Sequence, residues 1–124
     1  MNPPILKLAE PGRPLLLYLS IMDEALGSML AQEDKDGSEH AVYYLSKELK
    51  DYKTRYTTIE KSCVTLVWAV QKFRHILLSY QAFVISRMDP LKYLFEKPAL
   101  TRNLSRWLIL LVKFDLTYVA KNTI

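Results

Sequence analysis

The sequence predicts an α/β domain: a five-stranded mixed sheet with helices packed on it, in the order β β β α β α α β. Three observations predict it. Three short strand-like runs follow one another with tight connections between Leu15 and Ser46. From Tyr56 apolar residues recur at threes and fours over some twenty positions, the spacing of an amphipathic helix. After that stripe, short strand-like and helical runs alternate to the end of the chain. A meander followed by a crossover helix into a fourth strand brings parallel and antiparallel pairing into one sheet.

Residues 1–14 carry Pro3, Pro4, Pro11, Gly12 and Pro14 without a sustained apolar period, so they read as a connector arm, with the folded domain from Leu15 to Ile124. LLLYLSIM, Leu15 to Met22, opens with five apolar residues and is expected as a central strand covered on both faces. Asp23 and Glu24 suit a turn. LGSMLAQE then forms a second strand with Leu26, Ser28 and Leu30 on one face. EDKDGS carries the Asp-Gly signal of a hairpin, and HAVYYLS supplies a third strand rich in the tyrosines that pleated surfaces favour.

The helical stripe comprises Tyr56, Ile59, Cys63, Leu66, Val67, Val70, Phe73 and Leu77, enough for a single helix of about six turns. Thr57 or Thr58 suits its N-cap. QAFVIS reads as a fourth strand. DPLKYLF reads as a short helix with Asp89 at the N-cap and Pro90 at the first helical position. Thr101 to Lys113 gives a further helix containing Trp107. FDLTYVA alternates as a fifth strand with Phe114, Leu116 and Tyr118 on the buried side.

Of 124 residues, 50% are hydrophobic and 24% charged, the composition of one globular domain. The longest apolar run, Trp107 to Val112, falls far short of the roughly 20 residues that cross a bilayer, so no membrane partner is expected. The start of the chain lacks the apolar core of a signal peptide. Cys63 is the only cysteine, which excludes an internal disulfide and a zinc site built on paired cysteines. A net charge of +4 is compatible with a polyanionic partner and too small to establish one.

Several words in this order carry a family resemblance. PLLLYLSIMDEALGSMLAQE, HAVYYLSKEL, RYTTIEKSCVTLVWAVQKFRHILL, DPLKYLF and RWLILLVKFDLTYV resemble the ribonuclease H domain of gypsy-type LTR retrotransposon polyproteins, especially plant elements. The likeness runs from about Pro3 to Ile124, and PPILKLAEPGRPLLLY resembles the connector leading in from the polymerase. It implies a ribonuclease H-like fold in which acidic residues hold two divalent metals about 4 Å apart to cut the RNA strand of an RNA/DNA hybrid. Magnesium prefers hard oxygen ligands, so the acids decide the matter.

Set against the family pattern, this chain departs at each acid it covers. The first acid lies seven residues before the glycine matching Gly27, where Ser20 stands. The second lies in a word of the form YSxxEKE, here YTTIEKS, at Ser62. The third lies in a word like TDHxPLxYL, here SRMDPLKYL, at Arg87. A fourth acid of active relatives would lie beyond Ile124, so the domain is expected to be C-terminally truncated. Nearby acids are poor substitutes. Asp23 has the wrong strand parity relative to Ser20, Glu60 lies about 200° around the helix from Ser62, and Asp89 is better used as a cap. A guanidinium about 4 Å from a divalent ion costs on the order of 8 kcal/mol at an effective dielectric near 20.

The expected function is therefore a degenerate ribonuclease H-like module, retained for structure or as a tether beside reverse transcriptase. No catalytic residue and no resident metal are expected. Mg²⁺ or Mn²⁺ would enter only under the alternative in which Asp23, Glu60 and Asp89 form a shifted active set. A second alternative is a co-opted protein-binding module. The resemblance implies the reverse transcriptase portion of the same polyprotein and an RNA/DNA hybrid as partners. It also implies an intracellular location, in the cytoplasm or in virus-like particles.

Lys72, Arg74 and His75 are weak candidates for phosphate contact, though cations also suit the negative end of a helix dipole. Lys47, Lys50, Lys53 and Arg55 alternate with acids and read as a polar loop. His40 and His75 lie in different elements without ligand spacing. Cys63 sits on the apolar stripe as a small hydrophobe. Trp68 falls off that stripe's centre, where it can pack on a neighbouring domain. Tyr43, Tyr44 and Tyr52 are expected to pack on cross-strand neighbours rather than stack on bases.

Overall fold

The computed structural model describes residues 8–22, 24–48, 57–96, 106 and 109–120, with side chains omitted at 94–96. Its strands are β1 (Leu15–Ile21), β2 (Ala25–Glu33), β3 (Glu39–Glu48), β4 (Ala82–Ser86) and β5 (Leu116–Ala120). The helices are α1 (Thr58–Lys72), α2 (Arg74–Leu77) and α3 (Pro90–Glu96), and residues 109–111 are also helical. All five strands join one sheet in the order β3-β2-β1-β4-β5. The β1–β2 and β2–β3 pairs are antiparallel, while β1–β4 and β4–β5 are parallel. The mixed sheet with β1 at its centre is the architecture expected from the sequence.

Leu15, Leu17 and Leu19 of β1 are buried against Leu66, Val70 and Phe73 of the helical segment, together with Leu30, Val42 and Val84 from the other strands. The expectation that β1 is covered on both faces needs correction: Leu16 and Tyr18 are only half-buried. Helix α1 packs on the odd-numbered face, and the other carries Tyr18, whose hydroxyl donates to the Glu39 carboxylate at 2.8 Å. Burial, then that bond and the charge of Glu39, push the Tyr18 phenol up to about 12.

The β2–β3 connection follows its Asp-Gly signal. Gly37 has φ +89°, a backbone that favours glycine, and the Ser38 N–H donates to the Asp36 carboxylate at 3.0 Å. One irregularity escaped sequence reading. Leu30 faces Tyr43 whereas Ala31 faces Ala41, so Val42 is an extra, bulged residue, and it is buried in the core.

The helical stripe also differs from expectation, because it is not one continuous helix. Phe73 separates α1 from α2 at φ −100°, ψ 14°, and its carbonyl accepts from both Ile76 and Leu77 N–H. The ring is buried and lies 5.6 Å from that of Tyr43. That packing holds Phe73 and Leu77 in the core across the break. Trp68 is half-buried, as its place off the stripe suggested. The fifth strand begins at Leu116 rather than Phe114, which is buried just ahead of it, while Leu116 and Tyr118 are only half-buried, since β5 is an edge with a single neighbouring strand. Trp107 lies outside the described residues. Among the described residues no helix is long and apolar enough to cross a membrane.

The segment before β1 is tied to the sheet by Gln32, which is fully buried. Its amide accepts from the Glu10 N–H at 2.6 Å and donates to the carbonyls of Glu10 and Arg13 at 2.9 and 3.1 Å. A buried amide with all these bonds made costs little to bury.

Candidate functional site

Parallel pairing puts the C-terminal ends of β1 and β4 side by side. Leu15 is level with Ala82 and Tyr18 with Ile85, and the same register continued for two residues brings Ser20 level with Arg87. Strand ends of this kind are where open sheets hold ligands. Two bonds from a neighbouring strand fix the turn that carries Arg87. The Tyr118 hydroxyl lies 2.8 Å from the Ser86 carbonyl and 3.1 Å from that of Arg87, donating to the pair. The Ser86 hydroxyl donates to the Met88 carbonyl at 2.7 Å. Burial, with the nearby charge of Asp89 second, raises the Tyr118 phenol above its ordinary value and keeps it a donor.

Helix α1 begins over these strand ends. Thr57 is its N-cap, in a reciprocal arrangement with Glu60: the Thr57 side chain accepts the Glu60 N–H at 3.2 Å and the Glu60 carboxylate accepts the Thr57 N–H at 3.1 Å. Thr58 and Ser62, one turn apart, therefore share the helix face that meets β1 and β4. The result is a cleft of about 190 Å³. Its apolar walls are Leu19, Ile21 and Met88, and its polar lining is Ser20, Thr58, Ser62 and Arg87. All three positions singled out in the sequence, Ser20, Ser62 and Arg87, thus line one cavity.

Their environments differ. Ser20 and Arg87 are exposed at the rim. Ser62 is 1% exposed, and its Oγ has no hydrogen-bond partner among the described residues. Thr65, equally buried on the same helix, shows the usual solution: its hydroxyl donates to the Lys61 carbonyl at 2.6 Å. Among the described residues Arg87 forms no ion pair.

The nearby acids are engaged elsewhere. Glu60 closes the cap of α1, and the Asp89 carboxylate accepts the Lys92 N–H at 3.0 Å to cap α3. Neither lines the cleft, and Asp23 lies outside the described residues. Both carboxylates reach Cys63 electrostatically. Burial first, and then those two negative charges, push its thiol up to about 12, so Cys63 is an inert core group rather than a nucleophile. Among the described residues no three His, Cys, Asp or Glu side chains cluster to hold a metal.

Lys72, Arg74 and His75 are exposed where α1 gives way to α2. Lys72 lies about 15 Å along the helix axis from Ser62, so these residues do not join the cleft. Lys47 is exposed on β3, while Lys50, Lys53, Arg55 and Tyr52 lie outside the described residues. His40 and His75 remain in separate elements. Sequence reading missed Thr58, although its spacing of four from Ser62 was available. It also missed Tyr118, whose part depends on strand order.

The chain matches the family model described as the RNase H-like domain found in reverse transcriptase over residues 10–114. It is 31% identical over 112 residues to the retrovirus-related Pol polyprotein from transposon 297 of Drosophila melanogaster, covering 90% of this chain and 10% of that one. The chain therefore spans about a tenth of that polyprotein's length. Among solved structures it resembles the foamy viral protease-reverse transcriptase in complex with dsDNA, with a TM-score of 0.77 at 21% identity over 96% of this chain and 25% of that one. The same viral enzyme with an RNA/DNA hybrid gives 0.69 at 22% identity over 91% and 16%. RNase H1 from the archaeon Halobacterium salinarum gives 0.53 at 16% identity over 89% and 88%. These structural likenesses establish a shared fold, and the family match establishes membership: this chain belongs to the RNase H-like domains of reverse transcriptase.

Proposed function

We propose that this chain is the ribonuclease H-like module of a gypsy-type LTR retrotransposon polyprotein, of the plant kind, that no longer cuts RNA. Its role is to brace the neighbouring reverse transcriptase and help seat an RNA/DNA hybrid, inside the cell or in virus-like particles. The observation that carries this reading is the lining of the cleft, where Ser20, Ser62 and Arg87 stand at the positions that the family's motifs give to acids.

The residues present do not fit a pair of divalent ions. Neutral hydroxyls are weak ligands beside carboxylates, and Arg87 adds a positive charge to a place that would hold four. Exposure of Arg87 softens the repulsion. At a dielectric near that of water, the cost at about 4 Å falls to about 2 kcal/mol. Even so, among the described residues the cleft lining supplies no negative charge to offset it. The exposed Lys72, Arg74 and His75 offer phosphate contacts away from the cleft that need no metal.

The test is an assay of the chain on an RNA/DNA hybrid with Mg²⁺ and, separately, Mn²⁺. No cleavage is expected. Cleavage that disappears in the Asp23→Asn, Glu60→Gln or Asp89→Asn variant would overturn the proposal in favour of a shifted acid set.

A further inference from the structure

We infer that the cleft has changed the sign of its ligand: it is a site for a phosphate oxyanion, bound directly by side chains without a metal. The inference deepens the non-cleaving reading above and rests on it.

Three observations combine. The first is Arg87, whose guanidinium forms no ion pair among the described residues and stands at the mouth of the cavity. A guanidinium presents several N–H donors in one plane, the geometry that recognises phosphate. The second is the Ser62 hydroxyl, 99% shielded from solvent, lining the floor without a partner among the described residues. Most buried hydroxyls in native proteins are bonded, so one left unmatched in a cavity lining marks a place for an external acceptor. The third is the rest of the lining, which among the described residues holds two more hydroxyls, Ser20 and Thr58, and no carboxylate.

The setting favours an anion as well. Thr58 begins the 15-residue helix α1, so the cleft lies at the positive pole of that dipole. At about 190 Å³ the space is several times the share of a single water. Leu19, Ile21 and Met88 lower the local dielectric and strengthen charged hydrogen bonds made there. Among the described residues the opposing charges nearest the cleft are Glu60 and Asp89, each already engaged by a backbone N–H of its own helix cap. Phosphate can arrive as the free ion or as a phosphodiester of a nucleic-acid backbone. Both present the same oxygens.

The experiment is an NMR titration of the ¹⁵N-labelled 124-residue chain with EDTA present, first with inorganic phosphate and then with a short RNA/DNA hybrid. Saturable shifts are expected at the Arg87 Nε–H and at the amides of Thr58 and Ser62. Arg87→Gln, at an exposed position that the fold does not need, should weaken binding at least tenfold, and Ser62→Ala about fivefold. A response to free phosphate alone identifies a small-anion site. An Arg87-dependent response to the hybrid identifies a backbone site. No shift at these groups, or equal titration in Arg87→Gln, overturns the inference. A separate titration with Mn²⁺, without EDTA or phosphate, keeps the two readings distinguishable. Paramagnetic broadening at the same amides refutes the non-cleaving reading itself, whereas silence toward both ions refutes only the oxyanion site.

Discussion

Ser62→Ala should make this protein more stable. The Ser62 side chain is 1% exposed and its hydroxyl makes no hydrogen bond among the described residues, so folding strips that group of water without replacing the bond. Leaving such a group unmatched costs about 1–3 kcal/mol. Alanine removes the penalty and adds up to about 0.5 kcal/mol of helix propensity. The vacated volume is smaller than a methyl group and offsets less than about 1 kcal/mol. The balance is a gain of about 1–2 kcal/mol, which for a domain of this size raises Tm by about 4–8 °C.

Thermal and urea unfolding followed by circular dichroism, in phosphate-free buffer, measures it. Thr65→Ala is the matched control, because it deletes a hydroxyl that is bonded to the Lys61 carbonyl. That variant should lose about 1–2 kcal/mol. If Ser62→Ala is destabilised like Thr65→Ala, the Ser62 hydroxyl has an internal partner and the argument for an open cavity floor fails.

Two other outcomes follow from groups around the cleft. Thr57→Ala removes the hydroxyl half of the reciprocal cap with Glu60 and should cost about 1 kcal/mol, read from the urea midpoint; no change would show that Glu60 alone holds the start of α1. Cys63 and Tyr18 are pushed up to about 12 from ordinary values of 9.0 and 10.0, so each favours the folded state fully below its ordinary value and loses that contribution as pH rises toward 12. Stability should hold to about pH 9 and decline above it, with Cys63→Ala flattening the first part of the fall; a midpoint rising between pH 9 and 11 would contradict this.

The structure agrees with the sequence most closely where local chemistry is strongest. Asp89 and Pro90 opened a helix because a carboxylate cap and a fixed φ act within four residues. Asp36 and Gly37 closed the hairpin for a similarly local reason. The stripe from Cys63 to Leu77 identified the core-facing helix, yet gave no sign of the break at Phe73. That break follows from where the ring must pack, against Tyr43 on a strand thirty residues earlier. The bulge at Val42 escaped for the same reason, since register is a property of two strands.

By itself, the sequence determined the order of the strands, the family likeness and the residues Ser20, Ser62 and Arg87 as those to compare with the family's acids, because these are matters of residue identity and local periodicity. Only the tertiary structure decided that the three line one cleft, that Ser62 is sealed without a partner among the described residues while Ser20 and Arg87 stand open, and that Tyr118 fixes the turn beneath Arg87. Those facts depend on the parallel register of β1 with β4 and on α1 crossing their ends. Contacts of that kind join residues more than twenty positions apart, and no local pattern encodes their distance or their burial.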